Sequence, residues 1–317
     1  MSDIEWTRNP DGSKGKAWNP VTGCTKVSQG CKHCYAEGIA NRRLPHGGFT
    51  ARPFTEVWHH PERLGLPLTW RKPQRVFVNS MSDLFHEDVR TEFIDAVFAV
   101  MARGHQHHHT FMVLTKRAAR MREYLTDPDR KWKVMLAGAS IPLCAMMDIP
   151  WPLPNVWLGV SIEDQATADE RIPLLLETPA ALRWVSYEPA LGPVDFTAFT
   201  HRVDGTAIDT MCDECGERHD GDCDGIDWIV VGGESGPGAR PFDVEWARST
   251  VRQCKAAGVP VFVKQLGARP FEEGCEVGHV WIGRNPSSLT KLRDRKGGDP
   301  SEWPADVGVR QWPEVRS

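Results

Sequence analysis

The chain has 317 residues, 40% of them hydrophobic and 25% charged, with a formal net charge of -4. That length suits a single large α/β domain with an inserted module, and the net charge offers phosphate no global attraction. No run of about 18 apolar residues exists to cross a bilayer, and the start, Met1 to Trp6, lacks the basic and apolar regions of a signal peptide, so a cytoplasmic protein without a membrane partner is expected.

Apolar runs and breaker residues then give the elements in order. A strand is expected at Trp18–Thr22, followed by a Pro, Gly, Ser and Thr loop and by a helix from Tyr35 to Arg43 that stops before Pro45 and Gly47-Gly48. Residues 46–72 read as loop. A strand at Arg75–Asn79 stops at Ser80-Met81-Ser82-Asp83, and apolar positions at helical spacing predict a helix from about Asp88 to Arg103. The couplet then repeats: a strand at Thr110–Leu114 ends in Thr115-Lys116-Arg117 and precedes a helix to about Leu125. Val156–Val160 ends in Ser161-Ile162-Glu163, with a helix from Gln165 to Glu177, and Leu182–Ser186 ends in Tyr187-Glu188-Pro189. Asp227–Val231 runs into Gly232-Gly233-Glu234-Ser235-Gly236, with a helix from Val244 to Ala257, and Val259–Val263 ends in Lys264-Gln265.

Seven such nearly continuous apolar runs imply a parallel sheet buried on both faces. Alternation with helices predicts an α/β fold, a full or partial (β/α) barrel, although a doubly wound sheet fits the same pattern. Polar or glycine-rich residues at nearly every strand end favour the barrel, whose site is built on one rim. Three segments stand outside the couplets: an excursion at 126–154, an insertion at 196–225 and a C-terminal extension at 270–317.

Chemistry concentrates in the first loop, where Cys24, Cys31 and Cys34 fall within eleven residues. Thiolates select zinc, copper(I) and iron–sulfur clusters. A structural zinc needs four protein ligands, and His33, squeezed between Cys31 and Cys34, is a poor fourth. Three thiolates fit either a structural zinc completed by a distant fourth ligand or a four-iron cluster with one position open for a substrate or cofactor, and spacing alone does not separate the two.

The spacing CxxxxxxCxxC resembles the CxxxCxxC signature of radical S-adenosylmethionine (SAM) enzymes, with three extra residues between the first two cysteines. The wording WNPVTGCTKVSQGCKHCYAE, with GGESGPGARP and KLRDRKGGDP downstream, is similar in particular to the phage gene-product 37/68 family, from about Trp18 to Trp312. The resemblance implies a radical SAM enzyme in a phage-infected or prophage-bearing cell. Its [4Fe-4S] cluster would be held by Cys24, Cys31 and Cys34 and would cleave SAM to a 5′-deoxyadenosyl radical that abstracts hydrogen from a substrate. An electron donor such as flavodoxin or ferredoxin is implied, and the phage setting suggests a DNA base or other nucleic-acid component as substrate. Asn79, Ser80, Ser82 and Asp83 occupy the place where radical SAM enzymes contact the methionine amino group, and Lys116 would pair with its carboxylate. Gly232 and Gly233 are assigned to the SAM pocket, with Glu234 toward the ribose hydroxyls or the amine. Ser161, Glu163, Tyr187, Glu188, Lys264 and Gln265 complete the rim, serving SAM or substrate. For each, loop capping is the competing reading.

Cys212, Cys215, His219 and Cys223 form a compact knuckle-like set that closes a tetrahedral structural Zn2+ site, with an auxiliary iron–sulfur cluster as the alternative. The competing class for the whole chain is a non-enzymatic zinc protein that binds nucleic acid or a protein partner. Remaining signals have plainer readings: the tract His105, His107, His108, His109 as a solvated turn, Cys254 as core, Lys116, Arg117, Arg120 and Arg122 as solvated charge, and most of the thirteen tryptophans as packing.

Overall fold

Seven apolar segments pair as β1 (Lys16–Trp18), β2 (Arg75–Val78), β3 (Thr110–Thr115), β4 (Val156–Ile162), β5 (Leu182–Tyr187), β6 (Trp228–Gly232) and β7 (Val261–Gln265). This computed structural model describes residues 4–41, 52–139, 141, 148–199, 225–272 and 292–314. The β1–β2, β2–β3, β3–β4, β5–β6 and β6–β7 ladders are all parallel. Strand order in the sheet is sequential, β1 through β7. A doubly wound sheet reverses its order at a switch point; this one does not. β1 and β7 end the order, and no ladder joins them among the described residues.

Every residue of β2, β4 and β6 is buried, as a parallel sheet covered on both faces requires. The connecting helices are α1 (Tyr35–Ala40), α2 (Thr91–Gly104), α3 (Ala118–Thr126), α4 (Arg130–Ala139), α5 (Gln165–Leu176) and α6 (Val244–Ala257). The bounds of α6 coincide with the sequence reading because both ends are signalled locally. Asp243 accepts a hydrogen bond from the Glu245 N–H, and Gly258 closes the helix at φ 69°.

The chain divides into two compact units, one of Met1–Val160 with Glu177–Leu182, the other of Ser161–Leu176 with Arg183–Ser317. In the first, Trp18 packs on Phe111 with ring centroids 5.8 Å apart, and Phe98 on Tyr124 at 5.2 Å. In the second, Trp184 stacks near Trp228 at 5.6 Å, and Phe262 meets Trp312 of the C-terminal segment at 5.0 Å. Trp18, Trp157, Trp184 and Trp228 are fully buried, each contributing on the order of 5 kcal/mol of transfer free energy before chain entropy is charged against it. Packing is therefore the role of these four.

Four readings change. β1 lies at Lys16–Trp18 rather than 18–22 because Pro20 cannot donate to a ladder, and Val21–Thr22 pairs antiparallel with Trp58–His59 instead. The excursion at 126–154 contains α4, held by Arg130, whose guanidinium reaches Asp95 at 2.8 Å and Asp127 at 2.6 Å. His109 is fully buried and hydrogen-bonds the Pro67 carbonyl, so the histidine tract is not simply a solvated turn. Arg117 is buried as well, paired with the buried Asp83. Cys254 is buried in the core, as expected.

Candidate metal centre

Beyond β1 the chain turns at Asn19-Pro20 and enters the cysteine loop, which is pinned on two sides. Gly23 adopts φ 88°, and a Cβ there would sit 2.0 Å from the Glu56 carbonyl oxygen, so only glycine fits. Its N–H donates to the Met81 carbonyl at 3.1 Å, and the Cys24 N–H donates to the Phe54 carbonyl at 2.9 Å. A single 3-10 turn, Gln29–Cys31, carries the loop to Cys34, which N-caps α1. Cys34 packs against the buried cluster of Ala36, Ala40 and Met81. All three thiols are free and half-buried.

Behind Cys24 lies a buried cation. The Arg117 guanidinium is engaged at all three nitrogens: Nε donates to both Glu87 oxygens at 2.9 and 3.0 Å, Nη1 to Asp83 at 3.2 Å, and Nη2 to the Thr25 hydroxyl at 3.0 Å. Nη1 also donates to the Cys24 sulfur at 3.7 Å. Burial opposes the guanidinium's charge, but the Asp83 and Glu87 carboxylates outweigh it and hold the group ionised. Asp83 accepts four hydrogen bonds, from the Phe85 N–H and Thr115 hydroxyl on Oδ1 and from the Lys116 N–H and Arg117 on Oδ2. His86 accepts from the Asp88 N–H at Nδ1, so its Nε2 carries the proton and donates to the Thr25 hydroxyl at 2.7 Å.

Burial pushes the Cys24 thiol up to about 12, with Asp83 adding to the shift and Arg117 opposing it. Burial also raises Cys34, against the Glu37 and Ala36 N–H groups. Cys31 contributes to both shifts, so it lies within electrostatic reach of the other two thiols. The Ser28 hydroxyl stands 3.9 Å from the Cys31 sulfur, and Lys26, paired with Glu37 at 2.9 Å, faces the same side. Among the described residues, no three His, Cys, Asp or Glu side chains converge as ligands of one metal ion would.

At the end of β2, the residues expected to contact a ligand divide sharply. Asn79 adopts φ 60° and is 3% exposed. Its Oδ1 accepts from the Val21 N–H at 3.3 Å, while its Nδ2 is buried without a partner. Ser80 is bound to Asn19, and Ser82 donates to the Val21 carbonyl. Asp83 spends its acceptor capacity on Arg117 and the β3 end. Lys116 gives its backbone N–H to Asp83.

The second unit holds the other expected rim residues. Lys264 pairs with Glu188 at 3.0 Å, both side chains partly exposed, and the Ser186 hydroxyl donates to Glu188 at 3.4 Å. A Cβ on Gly232 would lie 2.8 Å from the Glu188 carboxylate, and one on Gly233 would lie 2.6 Å from the Leu266 carbonyl. Close packing therefore accounts for both glycines. Glu234 is held by Arg240, whose Nη2, Nε and backbone N–H donate at 2.7, 3.0 and 2.9 Å. Glu163 is fully buried against Arg171 at 3.3 Å, Ser161 donates to the Glu188 carbonyl, and Gln265 to the Gly233 carbonyl. Tyr187 is fully buried, its hydroxyl donating to the Gly192 carbonyl, and burial raises its pKa well above the usual range. Among the described residues, Lys264 with Glu188 is an ion pair with solvent access on both sides.

A family model described as protein of unknown function (DUF5131) matches residues 1–294. The chain belongs to the DUF5131 family. No curated protein and no solved structure matches it. For this DUF5131 chain the match takes in the cysteine loop, β1 to β7 and the Arg117 network, and stops inside the C-terminal segment.

Cys212, Cys215, His219 and Cys223, with Cys144 and Cys275, lie outside the described residues. Reasoning from sequence missed Arg117, Glu87, Thr25 and His86. A basic residue directly after a strand end was the available signal, but nothing local distinguishes a buried guanidinium from a solvated one.

Proposed function

We propose that this protein is a radical SAM enzyme in which Cys24, Cys31 and Cys34 hold a [4Fe-4S] cluster. The observation that carries the reading is the loop itself: three free, half-buried thiols within eleven residues on the loop that follows the first strand of a sequentially ordered parallel sheet. The donor set fits the group. Soft thiolates suit an iron–sulfur cluster, and three of them leave a coordination position for a ligand. In a cluster each thiolate holds its own iron, so the three sulfurs need not converge on one ion as in a zinc site. Such a cluster supplies one electron for reductive cleavage of the sulfonium C–S bond of SAM.

The chain's own residues bind and orient. Gly23 fixes the loop's entry, the burial of Cys34 on Met81 fixes its exit, and Arg117 holds Cys24. Asn79, with a buried amide lacking a partner, is the candidate to hydrogen-bond a carboxylate of the cofactor, in preference to the saturated Asp83. On the family resemblance, the substrate is a nucleic-acid component.

The test is anaerobic purification with iron and sulfide analysis, then dithionite and SAM with chromatography for 5′-deoxyadenosine, alongside Cys31→Ala. Iron, and nucleoside formed only with Cys31 intact, supports the reading. Zinc alone with SAM unconsumed rejects it in favour of a non-enzymatic metal protein.

A further inference from the structure

Arg117 sits where three separate segments meet. Its guanidinium bridges Thr25 in the cysteine loop, Asp83 and Glu87 beyond β2, and its own position directly after β3. The Glu87 side chain is 65% exposed, whereas those of Arg117 and Asp83 are 6% and 8% exposed. The charge is therefore buried on the side of Cys24 and balanced partly from solvent on the other. Lys26 is 53% exposed and spent on Glu37, and Ser28 brings only a neutral hydroxyl to Cys31.

We propose that Arg117 is a positioning residue that fixes the Cys24 sulfur and, through its buried charge, raises the reduction potential of the centre that Cys24 helps to hold. Positive charge and hydrogen bonds at cluster sulfurs stabilise the more negative, reduced state, and these outer contacts tune iron–sulfur potentials. The geometry requires arginine. A planar guanidinium reaches Glu87 through Nε, Asp83 and the sulfur through Nη1, and Thr25 through Nη2 at once, whereas an ammonium reaches only part of that set. Removing one side chain thus combines two separable effects, loss of a brace and loss of a charge.

The inference rests on the cluster reading above. Its test is a dithionite redox titration of the full-length, cluster-loaded protein, followed by electron paramagnetic resonance, comparing wild type with Arg117→Gln, Arg117→Lys and Glu87→Gln. The expected result is a midpoint shifted to more negative potential in Arg117→Gln and largely restored in Arg117→Lys, which keeps the charge. Glu87→Gln removes an exposed countercharge and moves the midpoint the opposite way. That variant leaves the buried groups in place, so it carries the test if Arg117→Gln fails to load iron. Equal shifts in Arg117→Lys and Arg117→Gln would reduce Arg117 to a brace and overturn the proposal. So would unchanged midpoints in the variants that load. Wild-type protein lacking iron overturns both this inference and the function beneath it, whereas iron with an unmoved midpoint overturns this inference alone.

Discussion

Asp83 and Arg117 face one another at 3.2 Å in the buried space behind Cys24, each under a tenth exposed. Asp83→Asn keeps the side-chain shape and strips the pair of its charge balance. Breaking a buried ion pair from one side costs about 3 to 5 kcal/mol, and retention of Glu87 places the loss at about 3 kcal/mol. Urea unfolding followed by tryptophan fluorescence measures it. A loss below about 0.5 kcal/mol would mean the pair is screened and does not brace the loop.

Gly23→Ala forces a Cβ onto the Glu56 carbonyl at 2.0 Å in a backbone conformation that L-residues avoid. The expected cost is roughly 2 kcal/mol or more and, on the proposed function, reduced iron retention because the loop's entry moves. Gly12→Ala is the control, since Gly12 shares the positive φ but has open space around it. Equal effects of the two substitutions would assign the cost to backbone strain alone.

Asn79→Gly suits the φ of 60° and removes the unpartnered amide. On the proposed function, SAM affinity, read by calorimetry on iron-loaded protein, falls roughly tenfold or more, the loss of one buried hydrogen bond to a charged group, with iron content unchanged. Unchanged affinity would remove Asn79 from the cofactor pocket.

His109 is fully buried, and desolvation holds its pKa below the ordinary 6.5. Below pH 6.5 the unfolded chain binds a proton there that the folded chain refuses, so this group's contribution to stability is complete above that pH and declines as pH falls. Urea midpoints between pH 8 and pH 5 should drop on the acid side. In His109→Gln that portion of the slope should flatten, whatever the variant's absolute stability. An identical slope would place the acid sensitivity in other groups.

Much of the fold could be read from local signals. Strands buried on both faces appear as unbroken apolar runs, so seven segments and their alternation with helices were recoverable to within a few residues, and α6 was bounded by its own Asp243 cap and Gly258. The cysteine loop was equally visible, because its thiols lie within eleven residues of one another. Tertiary structure alone decided which residues are available for chemistry. Strand order separated this sheet from a doubly wound one, and order is a matter of which runs pair, not of what each contains. Asp83, Glu163, Glu234 and Tyr187 have the composition of a polar rim, yet their partners Arg117, Arg171, Arg240 and the Gly192 carbonyl engage them. Arg117 and Cys24 are 93 positions apart, and only the pairing of β1 with β2 and β2 with β3 brings the guanidinium to the sulfur. The sequence by itself determined the thiols and the apolar strands, since both are properties of short stretches. Burial and partner choice were settled by contacts between distant segments, which no short stretch contains.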